Sequence, residues 1–131
     1  MQPHILLIDD DEDDQFIFLA AIKESVPGYE CRISNNGPEG LIALNSSSSK
    51  PEIIFLDLNM PRMNGFEFLT ILKNDIQFSA IPVIIFSTSD NPADKKRAQE
   101  LGALKFITKT ADIKQLKRDL HHIINSELFP A

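Results

Sequence analysis

Three short apolar runs constrain the fold of this chain more than any other feature of its sequence. They are continuous rather than alternating, and they span Ile5–Ile8, Ile53–Leu56 and Val83–Phe86. Strands that are apolar at every position are buried on both faces, as in a parallel sheet covered by helices. A weaker run, Leu104–Ile107, and a half-polar edge candidate, Tyr29–Ile33, bring the predicted strands to five.

Helical patterns separate the predicted strands. Asn64 and Glu67 have the spacing of a capping box, and Asn91 precedes a proline at the first position of the next helix. Weaker helical patterns cover Asp13–Ser25 and Pro38–Leu44. The last helix has the clearest pattern, with apolar residues at helical spacing over three turns: Ile113, Leu116, Leu120, Ile123 and Ile124.

Strands that alternate with helices predict one α/β domain over residues 1–131, with right-handed crossovers and a parallel sheet between two helical layers. The 13 basic and 19 acidic side chains give a net charge of −6, which disfavours nucleic-acid binding. No apolar run approaches the ~20 residues that span a bilayer, and the first residues lack a signal-peptide pattern. The single cysteine, Cys31, suits a reducing compartment. We therefore expect a cytoplasmic protein without nucleic-acid or membrane partners.

Residues that can carry chemistry stand at the ends of the predicted strands. Asp9 and Asp10 follow the first apolar run, Asp57 follows the run at 53–56, Ser87 ends the next strand and Lys109 follows the last. In an open parallel sheet, binding sites form beyond the carboxyl ends of the strands, where the strand order reverses. We therefore expect one cleft to collect these five side chains.

The composition of this predicted cleft favours a metal-assisted phosphoryl transfer. Crowded carboxylates raise one another's pKa unless a cation neutralises them, and oxygen ligands alone favour a hard ion, most simply Mg²⁺. An aspartate beside that ion can attack phosphorus and form an aspartyl phosphate. Lys109 and Ser87 would then contact the oxygens of the transferred group.

The acidic run after the first strand also has simpler interpretations. Asp11 to Asp14 are typical of a solvated first helical turn, where the helix dipole favours acidic side chains. A calcium loop is excluded because its sixth position would be Asp14 rather than glycine and its twelfth would be Ala20 rather than glutamate.

Four segments in order carry a resemblance to a known family: Ile5–Asp10, Leu56–Gly65, Pro82–Ser87 and Gly102–Lys109. Together they resemble the receiver domain of bacterial response regulators, of the stand-alone CheY-like type, over nearly all of the chain. The resemblance implies a doubly wound, flavodoxin-like sheet of five parallel strands in the order 2-1-3-4-5.

The resemblance also implies a role for each acidic residue. Asp57 would be the phosphoacceptor, and it would ligate Mg²⁺ together with Asp10 and the backbone carbonyl of Asn59. Asp9 would act on the metal mostly through water. The acidic residues would thus supply the metal site and the nucleophile of one reaction.

The remaining implied residues concern switching. Ser87 would hydrogen-bond the phosphoryl group, Lys109 would pair with it, and Phe106 matches the aromatic residue that turns inward when Ser87 moves. Phosphorylation would thereby shift the domain between two arrangements. The implied output surface consists of the fourth helix, the fifth strand and the last helix.

The implied partners are proteins. A sensor histidine kinase or a histidine phosphotransfer protein would supply the phosphoryl group, and a downstream protein would read the output surface. The segment Phe86–Asp90 resembles a subgroup that includes receivers paired with phytochrome-type kinases. We expect a signalling module rather than an enzyme, as a monomer or a weak dimer, with no output domain after the last helix.

One departure from the family pattern leaves an alternative open. The family usually has a cis peptide between this lysine and a proline, whereas Thr110 follows Lys109 here. A cis bond before a non-proline residue costs ~2.5–4 kcal/mol, so Lys109 is either held in cis by the site or approaches it through a trans bond. A constitutive interaction module that has lost phosphorylation therefore remains an alternative. A phosphohydrolase of the haloacid-dehalogenase type is less favoured, because it needs a second aspartate where this chain has Asn59.

Overall fold

The computed structural model describes residues 3–128 of the chain, in which strands and helices alternate throughout. The strands are β1 (His4–Ile8), β2 (Glu30–Ser34), β3 (Ile53–Leu56), β4 (Val83–Ser87) and β5 (Lys105–Thr108). The helices are α1 (Glu12–Ser25), α2 (Gly37–Ser46), α3 (Gly65–Lys73), α4 (Pro92–Glu100) and α5 (Ile113–Leu128). Within residues 3–128, no helix has both the length and the apolar character needed to cross a membrane.

The five strands form one parallel sheet in the order β2-β1-β3-β4-β5, which confirms the predicted topology. The strand order reverses between β1 and β3, and binding sites of open sheets form at such a point. Ile8 pairs with Leu56 in the register of these two strands, and the Asp57 amide donates to the Ile8 carbonyl at 3.0 Å. The residues that follow β1 and β3 therefore leave the sheet side by side.

Helices cover both faces of the sheet. Ile5 and Leu7 of β1 point towards one face, where they pack in a cluster with Phe18 of α1 and Leu120 of α5. The alternate residues of β1 pack against the other face, in a cluster to which α2, α3 and α4 contribute Leu44, Phe68, Leu69, Leu72 and Ala98. Because both faces are buried, the apolar runs are continuous, as the sequence predicted.

Two predicted strands are displaced by one residue. Strand β2 runs from Glu30 to Ser34, and β5 begins at Lys105 because Leu104, which is 46% exposed, still belongs to the preceding loop. Ile113, predicted to face the core, is 45% exposed. The whole first turn of α5 is exposed and the burial of this helix begins at Leu116, so the apolar stripe is one turn shorter than predicted.

The loop after β3 is held by the start of α3. Asn64 and Glu67 form the predicted capping box, with each side chain accepting from the backbone N–H of the other residue at 2.9–3.1 Å. The Gly65 amide donates to the Leu58 carbonyl at 2.9 Å. This close approach ties the first turn of α3 to the residues directly after Asp57.

Candidate functional site

Three aspartates meet at the carboxyl ends of β1 and β3. Each of Asp9, Asp10 and Asp57 offers one carboxylate oxygen, and these oxygens all lie within 4.8 Å of one another. Asp9 is completely buried and Asp57 is 5% exposed, whereas Asp10 faces solvent. The cluster is therefore buried at Asp9 and Asp57 and open to solvent at Asp10.

Burial of these carboxylates disfavours their charged forms. Burial, together with the negative charges of Asp9 and Asp10, raises the pKa of Asp57 to about 6, even though the Lys109 ammonium opposes this shift. Burial also raises the pKa of Asp9, although contact with Lys109 lowers it. The cluster thus carries an electrostatic cost that a bound cation would remove.

Lys109 reaches the cluster from the end of β5. Its Nζ lies 2.8 Å from Asp9 Oδ2, 2.8 Å from Asp14 Oδ2 and 3.6 Å from Asp57 Oδ2. Burial lowers the pKa of this ammonium, but its acidic partners outweigh that effect and the pKa is raised above its ordinary value. No peptide bond within residues 3–128 is cis, so Lys109 approaches the site through a trans bond to Thr110.

The donor set fits a hard divalent cation. Asp9 Oδ2 is buried and lacks a hydrogen-bond partner among the described residues, since its 2.8 Å contact with Lys109 is an ion pair without hydrogen-bond geometry. This oxygen therefore retains lone pairs that can ligate a cation. Oxygen donors of this kind suit Mg²⁺ or Mn²⁺. Asn59 is exposed beside them, and its amide lies 3.4 Å from Asp57 Oδ1.

Ser87 occupies the end of the neighbouring strand. It is completely buried, and its hydroxyl accepts a hydrogen bond from the Ser89 amide at 3.2 Å. Its carbonyl accepts from the Lys109 amide at 2.6 Å, which fixes the backbone of that lysine to β4. Ser89 in turn donates its hydroxyl to Asp94 Oδ2 at 2.6 Å, so the loop is linked to the first turn of α4.

Phe106 lies on β5 and faces α4. It is half-buried, and Lys95 of α4 places its ammonium 5.8 Å from the ring centroid. The ring lines a pocket of about 190 Å³ between α4 and β5, together with Ala98 and Ala103. The structure therefore places Phe106 beside α4, whose only buried residue is Ala98.

Sequence reasoning missed two residues of this site. Asp14 was interpreted as a solvated helix-turn residue, but it hydrogen-bonds Lys109 across 95 residues of sequence. Gln15 donates to the Asp9 carbonyl at 2.6 Å and to Asn35 at 2.8 Å, and so braces the loop after β1. The available signal was their position in the first turn of the helix that directly follows Asp9 and Asp10.

A family model described as the response regulator receiver domain matches residues 5–121. The chain belongs to this family. It is therefore a receiver domain of a two-component signalling system, and its sheet order and acidic cluster agree with that assignment.

Two relatives are similar to this chain over most of their own length. The chain is 32% identical to protein PilH of Pseudomonas aeruginosa over 120 residues, which cover 92% of this chain and 96% of that protein. It is 31% identical to response regulator Rcp1 of Synechocystis sp. over 117 residues, which cover 86% of this chain and 80% of that protein.

Solved structures resemble the whole chain. The phosphorylated cyanobacterial phytochrome response regulator RcpA has a TM-score of 0.89 at 30% identity, covering 100% of this chain and 97% of that one. The Mn²⁺-bound form of response regulator Rcp1 has a TM-score of 0.85 at 28% identity, covering 98% of this chain and 96% of that one. These likenesses confirm the predicted receiver fold.

Proposed function

We propose that this receiver is switched by a phosphoryl group transferred to Asp57. The observation that carries the proposal is the meeting of three carboxylates within 4.8 Å of one another, with an ammonium 3.6 Å from one of them. Asp9, Asp10, Asp57 and the Asn59 carbonyl would hold Mg²⁺. When bound, the cation neutralises the carboxylates and the charge that develops on the phosphoryl oxygens.

The transfer is a displacement at phosphorus. A carboxylate oxygen of Asp57 forms a bond to phosphorus while the phosphorus–nitrogen bond of a phosphohistidine breaks, and the bonding electron pair stays on the imidazole nitrogen. Lys109 pairs with a phosphoryl oxygen, which its position 3.6 Å from Asp57 Oδ2 supports. Ser87 donates its hydroxyl hydrogen to another phosphoryl oxygen, which is compatible with the hydrogen bond that this hydroxyl accepts from the Ser89 amide. The donor is a sensor histidine kinase or a histidine phosphotransfer protein.

Two similar structures support the chemistry. RcpA was solved phosphorylated and Rcp1 with Mn²⁺ bound, and both match this chain over nearly its whole length. The departure at Thr110 does not remove the lysine from the site, since Lys109 reaches the carboxylates through a trans bond. This weakens the alternative of a constitutive module that has lost phosphorylation.

Intact-protein mass after incubation with acetyl phosphate and Mg²⁺ tests the proposal. We expect the wild type to gain the mass of one phosphoryl group, and we expect no gain in Asp57→Ala or in the presence of EDTA. Asp13→Ala, which removes an exposed aspartate of α1, is the matched control and should be modified like the wild type. An unmodified wild type, beside a receiver that is modified under the same conditions, would favour the constitutive module.

The output surface should respond through α4 and β5. Helix α4 is anchored by Ala98, by Arg97 stacked 4.2 Å from the Phe66 ring centroid and by Lys95 over Phe106. Few buried contacts make such a segment the least stable part of a fold. With Mg²⁺ and beryllofluoride, a phosphoryl analogue, we expect amide exchange to change several-fold over residues 88–108 and little over α2. A uniform change would contradict this surface assignment.

A further inference from the structure

Among the described residues that form ion pairs with Lys109, only Asp14 stands outside the carboxylate cluster. Its Oδ2 accepts a hydrogen bond from Lys109 Nζ at 2.8 Å, whereas its carboxylate does not belong to the group of oxygens that lie within 4.8 Å of one another. Its own amide donates to Asp11 Oδ1 at 3.0 Å, which fixes Asp14 in the first turn of α1. The Asp14 side chain is 30% exposed, so it stands at the mouth of the cleft.

Three carboxylates compete for the Lys109 ammonium. The ammonium is 2.8 Å from Asp14 and from Asp9, but it remains 3.6 Å from Asp57, which is beyond hydrogen-bonding distance. The lysine backbone is fixed separately, because its amide donates to the Ser87 carbonyl at 2.6 Å. The flexible side chain is therefore drawn to the α1 side of the cleft while its backbone stays in place.

We propose that Asp14 is a positioning residue that holds Lys109 away from Asp57 and lowers the affinity of the site for a phosphoryl group. The proposal rests on the phosphoryl-acceptor function argued above. Two effects act in the same direction. Asp14 accepts a hydrogen bond from the Lys109 ammonium, which leaves one N–H fewer for a phosphoryl oxygen. Its negative charge, at the mouth of the cleft, also repels an entering anion. Removing Asp14 leaves Lys109 with Asp9 and Asp57 as its remaining partners.

Beryllofluoride binding in the presence of Mg²⁺ provides the first test. By calorimetric titration, we expect Asp14→Ala to bind beryllofluoride about 3- to 5-fold more tightly than the wild type, in line with the loss of one partly exposed ion pair. Asp13→Ala removes the same charge from the same helical turn, at an exposed position with no contact to Lys109 among the described hydrogen bonds and ion pairs. This control should stay within about 2-fold of the wild type, because solvent screens its charge.

The position of the lysine provides the second test, and it needs no phosphoryl chemistry. In crystal structures of the metal-free variants, we expect Lys109 Nζ to lie within hydrogen-bonding distance of Asp57 in Asp14→Ala and to keep its wild-type position in Asp13→Ala. Binding in Asp14→Ala that matches the control, or that is weaker, would overturn the proposal. If the wild type binds no beryllofluoride, the proposed phosphoryl function is wrong. In that case, an unmoved Lys109 in Asp14→Ala would also overturn the proposal that Asp14 positions this lysine.

Discussion

Replacing Asp57 by asparagine is expected to stabilise the metal-free protein by about 2 kcal/mol at pH 8. Burial and the neighbouring carboxylates raise the pKa of Asp57 from 3.8 to about 6. That difference corresponds to about 3 kcal/mol of lost stability when the carboxyl ionises in the folded state. The amide removes this charge at nearly constant volume, but its polar atoms must still find partners, so part of the gain is lost. For a domain of this size, the melting temperature should rise by roughly 5–10 °C.

The pH dependence identifies the cause of this stabilisation. A carboxyl whose folded pKa is raised binds its proton more tightly in the native state, so wild-type stability falls as the pH rises from about 4 to about 6 and then levels off. The advantage of Asp57→Asn should therefore be small at pH 4 and complete above about pH 6. Thermal melts in EDTA across this range measure it. An equal gain at pH 4 and pH 8 would contradict an electrostatic origin.

Two comparisons sharpen the experiment. Asp13→Asn changes the net charge equally but lies on the exposed side of α1, and it should alter the melting temperature little. At the same Mg²⁺ concentration, the stability of the wild type should rise more than that of Asp57→Asn, because a ligand that binds the folded state more tightly stabilises it more. Mg²⁺ should therefore reduce the difference in stability between Asp57→Asn and the wild type. A larger response of the variant to Mg²⁺ would argue against Asp57 as a ligand.

The sheet could be predicted because the apolar pattern of its central strands matches their burial on both faces. The run Ile5–Ile8 is apolar at every position, since β1 is central in the sheet and both of its faces are covered. The edge strand β2 has no such pattern, and its half-polar residues left the prediction one residue out of place. Ile113 kept the helical period but lies in an exposed first turn, because periodicity does not specify where burial begins.

From the sequence, the site could be predicted only for the residues that directly follow a strand, because the strand order specifies where those residues lie. Asp9, Asp10 and Asp57 meet because β1 and β3 are adjacent and in register, which follows from the strand order. The role of Asp14 could not be predicted in this way. Its contact with Lys109 depends on α1 and α5 packing against the same face of the sheet, which brings the first turn of α1 towards the end of β5. The position of Asp14 in the first turn of the helix that follows Asp9 and Asp10 indicates that it lies near the site, but it does not specify which side chain Asp14 contacts.

The second large effect is expected at Gly65, which supports the site from the start of α3. A Cβ atom at this position would clash with the carbonyl oxygen of Asp57 and would lie 2.8 Å from Cα of Leu58. Both are backbone atoms, so no side-chain rotation relieves the overlap, and either α3 or the loop after β3 must move. Gly65→Ala should therefore lower the free energy of unfolding by about 2–4 kcal/mol, measured by urea denaturation.

The displaced backbone makes this substitution a probe of the site as well as of stability. Because the clash falls on the Asp57 carbonyl, we expect Gly65→Ala to be modified by acetyl phosphate more slowly than the wild type under conditions where both are folded. Gly28→Ala is the matched control, since a Cβ there meets no atom within 4 Å, and it should change stability by less than about 0.5 kcal/mol. Alanine has a higher helix propensity than glycine, so a loss of stability at position 65 reflects the close approach of the backbone rather than helix propensity. Equal stability of Gly65→Ala and Gly28→Ala would show that the loop after Asp57 yields without cost and does not hold the phosphoacceptor in place.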